Sequence, residues 1–170
     1  NSAPPDTAGV GFNIICSPVI NHNWFRGFLG YSSAKPGQVL KSGINTSINN
    51  LVEDTHVQWL NGGSGVWRQD ILLNNIMQEI NTRWAVSEDL IFSYPLGKKY
   101  PLYVCSDAKV EVDEVIIDCS AKEFYIYRGK AQYLWGLYFV LKNTDLSVNC
   151  FIINRFIYKQ FTVRITFINN

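Results

Sequence analysis

Four cysteines, Cys16, Cys105, Cys119 and Cys150, are spread along a chain of 170 residues. Nothing else in the sequence restricts the fold as much, because covalent cross-links fix which segments must meet. An even count in a compact chain points to two disulfides, and disulfides persist in oxidising compartments. The chain starts at Asn1 rather than Met, which agrees with removal of an export signal or with excision from a longer protein. The expected setting is therefore a periplasm, a cell surface or the extracellular space. Cys105 and Cys119 bracket a short acidic segment and form the preferred pair, leaving Cys16 for Cys150; the other connectivities stay open. Zinc is the rival use of such residues. It has little support, because no Cys-x₂-Cys spacing occurs and His22 and His56 are the sole histidines. No metal and no cofactor is expected.

Hydrophobic residues make up 47% of the chain, enough for a single domain over residues 1–170 with a substantial core. Lys and Arg number 15 against 14 Asp and Glu, and the basic residues are scattered. Electrostatic capture of nucleic acid needs clustered cationic charge, so that partner class is not expected. No apolar run reaches the roughly 20 residues that span a bilayer, so membrane insertion is not expected either. Aromatics reach 14%, with Trp 5 and Tyr 9. Most such rings belong in a core. Rings placed in loops would instead stack on flat apolar faces, such as those of sugars.

The residue patterns read mostly as strands. Asn1 to Gly11, with Pro4-Pro5, reads as a mobile leader or an edge strand. Phe12 to Ile20 is a strand candidate holding Cys16. Asn21-His22-Asn23 is a turn before Trp24. Across Glu53 to Leu60, Val57 and Trp59 share one face, with His56 and Gln58 on the other. Asn61-Gly62-Gly63-Ser64-Gly65 is a loop that lacks the Lys-Ser/Thr of a phosphate-binding signature. Asp70 to Arg83 has helical spacing through Leu72, Ile76 and Ile80, with Asp70 as a candidate cap. Leu90 to Tyr94, Tyr100 to Cys105, Lys109 to Ile117, Glu123 to Arg128, Tyr133 to Lys142, Val148 to Ile157 and Phe161 to Ile168 all read as short strands. The expected fold is mainly β: an antiparallel, immunoglobulin-like, elongated β-sandwich with one short helix.

Catalytic signatures are scarce. No Gly-x-Ser-x-Gly elbow occurs, and disulfides would consume any nucleophilic thiol. Glu111 and Asp113 share a strand face at a spacing that fits the roughly 5–10 Å of paired glycosidase carboxylates. Alternating acids on a solvated strand face are the commoner explanation, so an enzyme is not expected. What remains are loop mixtures of polar and aromatic residues. Asn61, Trp67, Arg68, Gln69 and Asp70 form one candidate ligand-binding patch, and His22, Asn23 and Trp24 a second. A ring beside amide, carboxylate and guanidinium groups suits a shallow sugar site. Trp67→Ala is expected to abolish binding without unfolding the domain.

The layout resembles the receptor-binding lectin domain of two-domain fimbrial tip adhesins from Gram-negative bacteria. The expected export, the domain size, the short strands with few cysteines and the closing strand Phe161-Thr162-Val163-Arg164-Ile165-Thr166-Phe167-Ile168-Asn169 carry the resemblance. Gly65-Val66-Trp67-Arg68 is similar to a segment near the sugar site of N-acetylglucosamine-binding adhesins. The resemblance implies a carbohydrate-binding adhesin domain that attaches bacteria to a host glycan or glycoprotein receptor. It also implies a location at the fimbrial tip, and contact with pilus subunits through a following pilin domain. A secreted toxin or effector, and a structural pilus subunit, are the alternatives.

Overall fold

A computed structural model describes residues 3–15, 33–76, 86–111 and 122–155, with side chains given from residue 126 in the last segment. Strand β1 is Gly9–Ile15, β2 Thr55–Val57, β3 Gly65–Trp67 and β4 Leu102–Glu111. Helix α1 is Gln69–Asn74, α2 Glu88–Gly97 and α3 Lys122–Lys142, and residues 148–155 form α4.

The strands make one sheet in the order β2-β4-β1-β3. β1 runs parallel to β4, while β2 and β3 pair antiparallel at the two edges. A parallel central pair needs a long crossover, and here it carries β2, β3, α1 and α2. The pairing of β1 with β4 is interrupted once. Phe12 lies opposite Cys105, but Asn13 lies opposite Lys109, so Ser106 to Ala108 bulge out of the ladder.

One apolar core ties the sheet to the helices. Val57, Leu60, Leu102 and Val104 come from the sheet and its flanking loop. Leu90, Tyr94 and Leu96 of α2, Phe139 and Val140 of α3, and Phe151 of α4 complete it. Gly136 lets α4 approach α3: a methyl group there would lie 2.9 Å from a Phe151 ring carbon. Ser93, buried on α2, accepts the Leu60 N–H at 3.0 Å and donates to the Asp89 carbonyl at 2.6 Å. That satisfies a polar group at the helix–loop contact. At the end of α3, the Asn143 side chain donates to the Phe139 carbonyl at 2.8 Å, closing the last turn.

This architecture corrects the expected mainly β sandwich. The chain is a mixed α/β protein with a single four-stranded sheet that contains a parallel pair. The runs 90–94, 123–128 and 133–142, expected as strands, lie within α2 and α3, and 148–155 is helical too. The physical reason is visible on α3. Phe139 and Val140 are buried, yet Ile126, Leu134 and Leu141 are exposed on the same helix. Apolar residues on opposite faces erase the 3.6-residue period that distinguishes a helix from a buried strand. The expected leader is also different: Gly9–Ile15 forms a central strand, paired on both sides. The closing strand expected at 161–168 lies outside the described residues. Among the described residues, no helix is long and apolar enough to cross a membrane.

Candidate functional site

β3 ends in Trp67, and strand pairing sets that residue opposite Gly9 of β1. The missing side chain at Gly9 is what lets the indole lie over the sheet. A methyl group there would sit 2.8 Å from the indole carbon Cε3. The half-buried ring meets Phe92 of α2 edge to face, with centroids 5.1 Å apart and planes at 74°. These two rings and Leu60 line an open cleft of about 470 Å³.

Leu72, Asn75 and Ile76, from α1 and the turn after it, form one wall of the cleft. Asp89 and the Gly62 backbone also line it. Asp89 lies in the first turn of α2, three residues before Phe92, so one helix face presents both. Gly62 comes close beneath it; a methyl group there would lie 3.4 Å from Asp89 Cβ. Asn75 is held by its side-chain amide, which donates to the Ile71 carbonyl at 2.8 Å. Ile71 faces the core, while Leu72 and Ile76 are 46% and 92% exposed. The helix expected over Asp70 to Arg83 ends at Asn74, with 77–83 outside the described residues, so Leu72 on α1 and Ile76 beyond its end line the cleft instead of forming a buried stripe.

The first expected patch is only partly assembled here. Trp67 lines the cleft, and half-buried Asn61 precedes Gly62. Arg68, Gln69 and Asp70 are exposed and do not line it. Arg68 Nε and Nη2 instead donate to the two Asp70 carboxylate oxygens at 2.7 and 2.8 Å. The guanidinium holds the Asp70 carboxyl below its ordinary value, and the carboxylate raises the guanidinium in turn. This fork occupies the groups that were expected to bind sugar hydroxyls. Asp70 is not the α1 cap either, since Arg68 occupies the N-cap position. The second patch, His22, Asn23 and Trp24, lies outside the described residues.

Asp89, Phe92 and Asn75 were not anticipated. Reading 90–94 as a strand separated Asp89 from Phe92, because only a helix brings residues three apart to one face.

Two of the four cysteines lie among the described residues. Cys105 is half-buried on β4 and Cys150 exposed on α4, both as free thiols. Their expected partners, Cys119 and Cys16, lie outside the described residues. Among the described residues, no three of His, Cys, Asp and Glu gather as a metal site.

Chemically, the cleft offers two aromatic rings, aliphatic walls and one carboxylate. That set suits binding of a small ring with one apolar face and one polar edge. Comparison with family models, curated proteins and solved structures gives no match for this chain.

Proposed function

We propose that this chain is a carbohydrate-binding module whose site is the cleft between Trp67 and Asp89. One observation carries the reading: an aromatic pair and a carboxylate line the same cleft of about 470 Å³, the size of a small ligand. A pyranose presents a C–H face that stacks on a ring and hydroxyl edges that donate to a carboxylate. The Gly62 backbone in the lining, bare of a side chain, leaves room for the polar edge to approach.

The reading rests on the cleft and no longer on the layout of the whole chain, because the sandwich expected of a fimbrial lectin domain does not form. Attachment of bacteria to host glycans is the role we propose for such a module, and it follows only from the ability to hold a sugar. Affinity is expected to be weak, roughly micromolar to millimolar, as for a shallow preformed site.

A glycan array tests it, using the full chain and the variant Leu72→Arg. Leu72 is 46% exposed, so the substitution leaves the core alone while placing a bulky charged chain in the cleft wall. Binding of related glycans by the wild type, lost in the variant, is the expected result. Equal binding by both would place the sugar elsewhere, and a blank array for the wild type would overturn the reading.

A further inference from the structure

We infer that the cleft selects sugars carrying a free, protonated amine over neutral and carboxylated ones; this rests on the carbohydrate reading of the same cleft. The charge of its lining carries the inference. Among the described lining residues Asp89 is the sole ionisable side chain. Its Oδ1 accepts the Leu90 N–H at 3.1 Å, and a carboxylate has further lone pairs to offer. Arg68 follows Trp67 in sequence but has both Nε and Nη2 on Asp70. It is therefore not set to balance an anion in the cleft.

The rings add to the same preference. The faces of Trp67 and Phe92 carry the negative side of the aromatic quadrupole, which attracts cations. A sugar ammonium would thus find a carboxylate and aromatic rings within one cleft. A sugar carboxylate would meet Asp89 with no described cation beside it. An N-acetylated amine is neutral and would gain only the stacking and hydroxyl contacts.

Isothermal titration of the full chain with the methyl glycosides of glucosamine, N-acetylglucosamine and glucuronic acid tests this. The glucosaminide is expected to bind roughly fivefold or more tighter than the N-acetyl compound, the gain typical of one exposed ionic contact with a cation–π contribution. The glucuronide should bind weakest. Asp89→Asn should shrink the difference between the first two to what the rings alone supply, with its thermal transition checked alongside. If that variant does not fold, the wild-type ranking alone decides. Equal affinity for glucosaminide and N-acetyl compound, or a preference for the glucuronide, would overturn the amine selectivity and leave the carbohydrate reading standing. Absence of binding for all three at tens of millimolar, about the upper limit of a weak site, would overturn both.

Discussion

The side-chain amide of Asn13 donates to the main-chain oxygen of Ser106 across 2.9 Å, at the point where β1 and β4 lose register. The same amide donates to the Leu51 carbonyl at 2.8 Å, and its oxygen accepts the Leu51 N–H at 2.9 Å. Asn13 is fully buried, so it supplies partners for three backbone groups that the bulge and the 51-loop would otherwise leave unpaired. Asn13→Leu keeps the branched shape and the number of heavy atoms but removes all three bonds. The expected loss is about 3 kcal/mol or more, since each buried orphan group costs about 1–3 kcal/mol. Urea denaturation of the two proteins measures it. A change under 1 kcal/mol, about the scatter of ordinary surface substitutions, would show that the bulge is held by other means.

Gly97 ends α2 against the loop that leads out of β2. A methyl group at Gly97 would lie 2.5 Å from the Gln58 carbonyl oxygen, a backbone atom that cannot swing aside. Gly97→Ala is expected to destabilise by about 1–3 kcal/mol, the usual cost of overpacking. Gly63 is the control, with nothing within 4 Å of the added carbon. Gly63→Ala should leave the melting temperature nearly unchanged. Equal effects at both positions would contradict the close approach of α2 to that loop.

Stability should fall at both ends of the pH scale for separable reasons. On the alkaline side, burial and then the hydrogen bond to Asp145 raise the Tyr94 hydroxyl above its ordinary 10.0. A raised folded value means that its contribution is complete below pH 10 and is lost as pH climbs through the higher folded value. Tyr94→Phe should therefore flatten the alkaline fall in melting temperature. On the acid side, the Ser106 N–H and hydroxyl bind one oxygen of Asp54 at 2.8 and 3.0 Å and lower its carboxyl. Burial by itself raises Asp145, but hydrogen bonds from Lys98 and Tyr94 together outweigh it and lower that carboxyl too. Lowered folded values give stability that is complete above the ordinary carboxylate range and lost as pH falls through them. Asp145→Asn should then reduce the acid dependence. An unchanged profile in both variants would show that this cluster does not link α2 to the α3–α4 turn.

Trp67 has two roles, so its truncation should show two effects. The ring packs against the core as well as lining the cleft. Trp67→Ala is expected to cost about 2 kcal/mol, below the range for a fully buried Trp because the ring is half-buried. It should still unfold cooperatively and should not bind sugar. The sequence alone led to the simpler expectation of lost binding at constant stability. An unaltered melting temperature would return Trp67 to the role of a free loop ring.

The legible parts of the fold were those with a clean local period. Val57 and Trp59 are buried and His56 is exposed, as the alternation read over Glu53 to Leu60 expected, although the strand itself is only Thr55–Val57. The loop at Asn61 to Gly65 was also visible from glycine content; of the helix expected over Asp70 to Arg83 only the first turns form, since α1 ends at Asn74, and 77–83 lie outside the described residues. α2 and α3 were not. Tyr94, Leu96, Phe139 and Val140 occur in aromatic, apolar runs that a buried strand also uses, and tertiary packing rather than local pattern made them helical. That misreading carried over to the site. Trp67 was found because it follows a glycine loop, whereas Asp89 and Phe92 become neighbours only once α2 coils. Arg68 and Asp70 looked available for a ligand because nothing in their adjacency reveals that they bind each other.

Nitrogen–proton correlation spectra of the labelled chain, recorded while a glycan hit or the methyl glycoside of glucosamine is added, test the cleft most directly. The account predicts concentration-dependent shifts at the Trp67 indole N–H and at the amides of Gly62, Asp89 and Phe92, with β2 and α4 unaffected. Saturable shifts centred elsewhere, or none at tens of millimolar sugar, about the limit of a weak site, would contradict it.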